Sequence, residues 1–483
     1  MKTYTAVYLG SLFLALVVTP LVIRIARRFK FVDIPGARHI HKEPVPRIGG
    51  VAVFISTMAL VAAVLLLNNG VGQKFMEVRA QVLAILAACS LMFLIGVIDD
   101  IYGMRARFKL LGQIVAALIV CSAGITVNTV TIENLFTIEF GLLSWPLTVL
   151  WIVGITNAVN LIDGLDGLAA GISAITCGVI AILAVVGGNV VMAVLMLALL
   201  GSLTGFLFFN FNPAKIFLGD CGSLFLGFTL ASASVMCSTK SHALVALALP
   251  VLTLGIPIFD TFFSMLRRFL ERRSMFAPDK SHFHHKLIDH GLHQKHVAVV
   301  AYVISAIMGG LGLLIMAARG ADRIVIFLCM LLLLLLVFRV VGSVRLRETI
   351  ERLKGKYAID GQTKKEIRNF EEVQLHFRNA DTLDQWWQAC ELAADKLDFM
   401  EIKLPLNNRE GKIRILEWKK PFPKDSQSIQ MNIPITDRRK DSDLKMHINI
   451  YKNGSLESAG RRAALFTRLI EEHGIDSLTN TRK

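Results

Sequence analysis
Apolar runs of about 17–25 residues recur along residues 1–342, each bounded by charges, Gly/Pro or Asn clusters. A run of that length spans the hydrocarbon core of a bilayer as an α-helix, which satisfies its own backbone hydrogen bonds where no water can. The runs fall near 4–23, 48–67, 79–98, 109–127, 142–160, 168–187, 190–208, 222–239, 242–266, 297–318 and 322–342. The expected fold is therefore an α-helical polytopic membrane protein with about eleven transmembrane helices. The first run is followed by no small-residue cleavage signal and reads as a retained span. Between Val127 and Phe140 the pattern Thr-Val-Asn-Thr-Val-Thr-Ile reads as a short extended segment outside the membrane.

Charge divides the chain in two. Residues 1–342 carry 25 basic and 15 acidic side chains, and residues 343–483 carry 27 and 22, about 12% and 35% of their lengths. A uniform soluble globule, a disordered chain and a basic nucleic-acid-binding domain are all excluded by that split. The organisation expected is a transmembrane domain over 1–342, a charged helical linker over 343–379 and a soluble α+β domain over 380–483. In the tail, Val344–Lys356 reads as a charged helix and Asp381–Asp398 as a helix with Trp386, Trp387 and Leu392 apolar. Strand-like runs follow near 399–405, 412–418, 428–435 and 444–452, then a helix over 456–473. The tail has no paired acid and base groups and no phosphate loop, so a regulatory or partner-binding role with an unknown partner is expected of it. The seven cysteines form no CxxC pair and indicate neither a zinc site nor a disulfide framework.

With the N-terminus outside, 18 basic residues fall in the loops of one face and 6 in those of the other, which makes the first face, and the tail, cytoplasmic. Asp99, Asp100, Asp163, Asp166, Asp220, Asp279 and Asp289 all lie on that face, at or beyond span ends. Carboxylates beside a membrane are costly and usually functional; the bland alternative is ordinary helix-end residues.

Four loops carry the chemistry. Asp99-Asp100 is followed by Arg105, Arg107 and Lys109, and neighbours on a helix point about 100° apart, so the two carboxylates need not share a ligand. A solvated turn fits that pair about as well as a metal and a phosphate held side by side. In Asn157-Ala-Val-Asn160-Leu-Ile-Asp163-Gly-Leu-Asp166-Gly the glycines break a helix and leave carboxylates and amides suited to Mg²⁺ or nucleotide hydroxyls. In Asn210-Phe-Asn212-Pro213-Ala-Lys215-Ile-Phe217-Leu-Gly219-Asp220-Cys-Gly222-Ser223 a helix N-terminus can face an anion while Asp220 holds a cation. Asp279-Lys280-Ser-His282-Phe-His284-His285-Lys286 lacks the partners of a zinc site, and its imidazoles suit phosphate oxygens. Together these loops furnish what phosphoryl transfer at a membrane surface needs. The competing class is a transporter or channel, which would place its carboxylates in mid-membrane.

At these residues the chain resembles the polyprenyl-phosphate N-acetylhexosamine-1-phosphate transferase superfamily, with four motifs in order over about residues 1–342. The resemblance implies transfer of GlcNAc-1-phosphate from UDP-GlcNAc to undecaprenyl phosphate, releasing UMP, with Mg²⁺ as cofactor and Mn²⁺ as an allowed substitute. It also implies a bacterial inner-membrane enzyme that starts a lipid-linked cell-surface polysaccharide such as O-antigen, and it admits a homodimer. Residue by residue it gives Asp99, Asp100, Asp163 and Asp166 catalytic roles, with Asp99 on the lipid phosphate. Asp220 and Asp100 become the metal residues. Lys42, Arg47, Lys109, Asn160, Asn210, Phe217, His282, His284 and His285 become substrate contacts, Lys109 and the histidines at the diphosphate and Asn210 and Phe217 at the uridine. The His-Phe-His-His-Lys-Leu form looks like the GlcNAc-1-phosphate subgroup, whereas the muramoyl-pentapeptide enzymes carry a Pro-x-His-His-His-type sequence. Direct attack of the lipid phosphate is the expected mechanism, with a covalent Asp99 intermediate as the alternative. Another UDP-N-acetylhexosamine remains open as donor.

Overall fold
The computed structural model describes residues 2–33, 44–66, 70–132, 136–238, 243–270, 283–318, 321–341, 366–407, 413–421, 427–435, 444–452 and 456–474. The chain divides into two units, Met1–Leu346 and Arg347–Lys483.

The first unit is helical. It contains α1 (Lys2–Arg28), α2 (Gly50–Leu65), α3 (Gly70–Glu77), α4 (Arg79–Tyr102), α5 (Ala106–Ser122), α6 (Ser144–Ile162) and α7 (Leu168–Val186). After these come α8 (Val190–Asn210), α9 (Gly219–Ser238), α10 (Ala243–Thr253), α11 (Gly255–Leu270), α12 (Phe283–Asp289), α13 (Gln294–Ala317) and α14 (Ala321–Val340). Two short antiparallel pairs complete it: β1 (Val32–Asp33) with β2 (Val45–Pro46), and β3 (Thr129–Ile132) with β4 (Phe136–Glu139), the latter where the extended segment is expected.

Among the described residues eight helices are long and apolar enough to cross a membrane, and α10 with α11 makes a ninth if that bent pair counts as one span. This is fewer than the eleven expected, because α2 and α5 run for only 16 and 17 residues. The run expected over 242–266 is broken, with α10 and α11 meeting at a 79° bend. Pro257 has no N–H to give to the carbonyl four residues back, and it sits in the first turn of α11, where that loss costs least. Beyond the bend, polar Asp260, Ser264, Arg267 and Arg268 recur among Phe259, Phe262 and Phe263.

α9 is the centre of this unit. Every residue from Cys221 to Ser238 is buried, packed by α2, α4, α6, α7 and α10. Small residues allow the close approach that stands in for a hydrophobic drive between helices in lipid. A Cβ on Gly227 would lie 2.7 Å from Thr156 Cα, and one on Gly96 would lie 2.5 Å from the Asp220 carbonyl oxygen. Polar pairs add to this: Cys89 Sγ to Thr229 Oγ1 at 3.2 Å, Trp151 Nε1 to Ser234 Oγ at 3.0 Å and Thr57 Oγ1 to Ser202 Oγ at 3.0 Å. Each such bond is worth about 0.6 kcal/mol in a membrane bundle.

The α1–α8 contact uses the same device. A Cβ at Gly205 would sit 2.6 Å from the Leu12 carbonyl oxygen and 2.9 Å from Ala15 Cβ. Gly205→Leu is expected to force the two helices apart at a cost of about 1–3 kcal/mol, the usual penalty of overpacking. It reads out as a lower unfolding midpoint of the detergent-solubilised protein, and an unchanged midpoint would contradict the packing.

In the second unit α15 (366–378), α16 (Leu383–Lys396) and α17 (Leu456–Glu472) accompany a four-stranded antiparallel sheet. Its strands are β5 (Phe399–Asn407), β6 (Ile413–Lys419), β7 (Ser428–Ile435) and β8 (Leu444–Tyr451), in the order β6-β5-β8-β7. Ile402, Leu404, Met446, Ile448 and Ile450 line one face by the period-two rule and join Trp386, Phe399 and Phe466 in a core of their own. α15, assigned to the linker on charge alone, puts Phe370, Val373 and Phe377 into that core. A capping box between Thr382 and Gln385 starts α16. The helix expected at Val344–Lys356 lies outside the described residues.

Candidate active site
The ends of α4, α6 and α8 and the starts of α5, α7 and α9 meet at one end of the first unit, and the predicted carboxylates meet with them. Asp99 and Asp100 diverge as their helical angle requires. Asp99 is buried; its Oδ1 accepts the Met104 N–H at 2.6 Å and its Oδ2 is ion-paired with Lys109 Nζ. Lys109, one turn into α5, also reaches Asp220 Oδ2 at 3.4 Å. The carboxylates of Asp99 and Asp220 lie side by side, with this lysine as the cation between them.

Asp100 does something the loop reading gave to a ligand. Its Oδ1 accepts the Asp220 N–H and its Oδ2 the Cys221 N–H, both at 2.9 Å, and Arg47 stands 3.5 Å from Oδ1. The anion at the N-terminus of α9 is thus the protein's own, placed where unpaired amides and the helix dipole favour a negative charge. Both oxygens of Asp100 are engaged in holding α9, so of the two expected metal residues Asp220 is the one whose carboxylate faces the cluster.

Asn160, on the last turn of α6, donates to Asp220 Oδ1 at 2.5 Å and to Ser223 Oγ at 2.8 Å. Asp163 follows at the end of α6. Burial, and then the charges of Asp220 and Asp100, push its carboxyl well above the usual carboxylate range. Three residues on, Asp166 Oδ2 accepts Asn212 Nδ2 at 2.8 Å and the Ala214 N–H at 3.1 Å, so it braces the 211–218 loop. Asn210, expected at the uridine, is buried and donates to the Ile216 carbonyl at 2.9 Å, closing the same loop. Phe217 is tied by its backbone to Pro46 and Gly49, which brings the Arg47 segment beside the loop.

The histidine segment is described from Phe283 onward, so His282 lies outside the described residues, as does Lys42. The His284 side chain also lies outside the described residues, and His285 is half-buried on α12. The structure adds Asp260, which the sequence reading passed over: buried on α11, it accepts the Phe283 N–H at 2.7 Å and so fixes the start of α12. A carboxylate inside the apolar run Gly255–Phe263 was the available signal. Also unforeseen is the role of Asn157, whose amide exchanges hydrogen bonds with Gln113 at 2.6 and 3.3 Å. That pair joins α5 to α6 one turn below Lys109. Beside it an apolar groove of about 500 Å³ runs between α5 and α6, lined by Leu110, Ile114, Leu118, Pro146, Val149 and Val153 among others.

A glycosyl transferase family 4 model matches residues 82–238, the stretch that holds Asp99 through Asp220. The chain is 40% identical over 338 residues to a probable undecaprenyl-phosphate N-acetylglucosaminyl 1-phosphate transferase of Bacillus subtilis, covering 70% of this chain and 92% of that protein. It is 33% identical over 317 residues to a decaprenyl-phosphate N-acetylglucosaminephosphotransferase of Mycobacterium leprae, covering 59% and 77%. A phospho-N-acetylmuramoyl-pentapeptide-transferase of Desulforamulus reducens is 36% identical over 255 residues, covering 48% and 74%. A multi-pass membrane architecture, a carboxylate cluster at the helix ends and relatives matched over most of their length lead to one assignment: the chain belongs to glycosyl transferase family 4, among the polyprenyl-phosphate N-acetylhexosamine-1-phosphate transferases.

Proposed function
We propose that this protein transfers GlcNAc-1-phosphate from UDP-GlcNAc to undecaprenyl phosphate at the cytoplasmic face of the bacterial inner membrane. UMP is released, and the product starts a lipid-linked cell-surface polysaccharide. The observation that carries the reading is Lys109, held between Asp99 and Asp220 on the same helix whose next residue, Leu110, lines the α5–α6 groove. A phosphate drawn to Lys109 leaves its isoprenoid chain beside Leu110, Ile114 and Leu118, so head and tail of one lipid are accommodated together. The excess of basic loops on the side that holds the carboxylates supports the orientation. In this reading all eleven apolar segments cross the membrane, α2 and α5 included.

The site suits Mg²⁺. Among the described residues no three His, Cys, Asp or Glu side chains converge on one point. Mg²⁺ is characteristically held by one or two carboxylates with substrate phosphates and water, rather than by an all-protein cage. Burial raises the Asp163 carboxyl first and the charges of Asp220 and Asp100 raise it further, so carboxylates gather there, and the donors are hard oxygens. Asp220 and Asp163 would hold the ion, which when bound would neutralise charge on the transferring diphosphate.

In the reaction an oxygen of the lipid phosphate attacks the β-phosphorus of UDP-GlcNAc. A new P–O bond forms, the bond from the β-phosphorus to the bridging oxygen breaks, and UMP leaves with that electron pair. Lys109 draws the phosphates together and offsets their charge. Both oxygens of Asp99 are engaged and buried, which favours direct attack over a covalent aspartyl intermediate. The test is UMP release from a panel of UDP-sugars by the protein in proteoliposomes, with and without undecaprenyl phosphate. UDP-GlcNAc should be the best donor, release should require the lipid, and EDTA should abolish it with recovery on adding Mg²⁺. Release without lipid phosphate would support the covalent route, and preference for another sugar would overturn the donor assignment.

A further inference from the structure
The turn between α6 and α7 is glycine-rich and carries Asp163 and Asp166, yet it is held from a helix that no motif includes. Tyr302, on α13, donates its hydroxyl to the Gly167 carbonyl at 2.6 Å. Gly167 is the left-handed N-cap of α7, with φ 73° and ψ −12°, and a Cβ there would lie 3.0 Å from that hydroxyl. One turn further on, the Tyr302 ring fills the space a Cβ on Gly171 would need. Eight residues before Tyr302, on the same face of α13, Gln294 Oε1 accepts Asn212 Nδ2 at 3.4 Å, and Asn212 in turn holds Asp166. One face of α13 therefore secures the Asp163–Gly167 turn at Gly167 and the 211–218 loop at Asn212.

We infer that Tyr302 is a positioning residue for the nucleotide-sugar donor, acting by fixing the Gly167 carbonyl and with it the Asp163–Gly167 turn. The inference rests on the proposed function and on the reading of the Asn157–Gly167 segment as suited to nucleotide hydroxyls. Glycine gives the turn conformational freedom that would otherwise be lost only on binding, and a hydrogen bond from a half-buried tyrosine removes it beforehand. Lys109 meets Asp220 at Oδ2 and the groove is lined by α5 and α6, whereas the Tyr302 hydroxyl is spent on the Gly167 carbonyl. The effect should therefore fall on one substrate alone, whereas a tyrosine that merely packs α13 on α7 would change stability and neither KM.

The experiment uses the full chain in proteoliposomes, following UMP release with UDP-GlcNAc and undecaprenyl phosphate varied in turn. Tyr302→Phe keeps the ring and removes one hydrogen bond. The donor KM should rise about threefold to tenfold, the range expected for a single neutral hydrogen bond, with the lipid KM unchanged. Gly171→Ala, whose Cβ would clash with both Cζ and the hydroxyl of Tyr302, displaces the ring and should raise the donor KM in the same direction. An unchanged donor KM in Tyr302→Phe, or equal rises in both KM values, would overturn the inference while leaving the proposed reaction in place. A wild-type protein that releases no UMP from any UDP-sugar would overturn the donor reading itself, and the inference with it.

Discussion
Asp220→Ala is expected to lower UMP release by at least about a thousandfold, the scale seen when a charged group that stabilises a transferring phosphate is lost. Asp220 is where the site's interactions converge: Asn160 and Lys109 both donate to it, Asp99 lies against it, and its charge reaches Asp163. The variant should still fold, because α9 is started by backbone amides bound to Asp100 and not by the Asp220 side chain. Asp220→Asn separates charge from hydrogen bonding, since its amide oxygen still accepts from Asn160. If the carboxylate holds Mg²⁺, the asparagine variant should be nearly as inactive as the alanine one, with an unfolding midpoint close to wild type. Activity above about a tenth of wild type in Asp220→Asn would show that the negative charge is dispensable and would remove Asp220 as a metal ligand.

Much of this site was legible because the relevant signals are local. Span ends can be placed by length, and carboxylates at those ends stand out against apolar neighbours. The divergence of Asp99 from Asp100 follows from helix geometry alone. What each residue touches was not legible where the partner is distant or has no side-chain signature. Asp100 binds two backbone amides 120 and 121 residues away, and no residue type announces an amide that needs a cap. Asn210 and Asp166 sit in motifs suggestive of substrate contact yet close a loop within the protein, since a buried amide or carboxylate must be satisfied whoever supplies the partner. The α10–α11 bend was missed because a hydropathy window averages over Pro257, and α15 because charge on a helix surface hid its buried stripe of Phe370, Val373 and Phe377. The tail strands were found within a few residues, since alternation is a short-range signal that a sheet face reinforces.

Arg462→Ala is expected to cost the C-terminal unit about 3–5 kcal/mol, the range for removing one partner of a buried, hydrogen-bonded charge. Arg462 is 2% exposed. Its guanidinium donates to the carbonyls of Leu397 at 2.9 Å, Asp398 at 3.3 Å and Tyr451 at 2.7 Å, and its Nε stands 4.0 Å from Glu366. One side chain thus ties α17 to the α16–β5 turn, the end of β8 and the start of α15. The turn needs such a tie, since Asp398 adopts φ 56°, a left-handed conformation that a non-glycine residue holds only when its surroundings impose it. Removing the arginine leaves three carbonyls without that donor, while Glu366 keeps Arg461 at 3.3 Å and Ser458 at 2.6 Å. Burial lowers the guanidinium pKa while Asp398 and Glu366 raise it, and the group stays charged at neutral pH. Arg462→Lys should recover little, because an ammonium cannot span three carbonyls in the fixed fork that a guanidinium presents. Limited proteolysis of the full-length protein in membranes reads this directly. Cleavage within 366–474 should accelerate by at least about a hundredfold in Arg462→Ala, as the population of the opened unit rises with its lost stability. Cleavage at the wild-type rate would mean that the three carbonyls find water or other donors at little cost, and that the second unit is held by its apolar core alone.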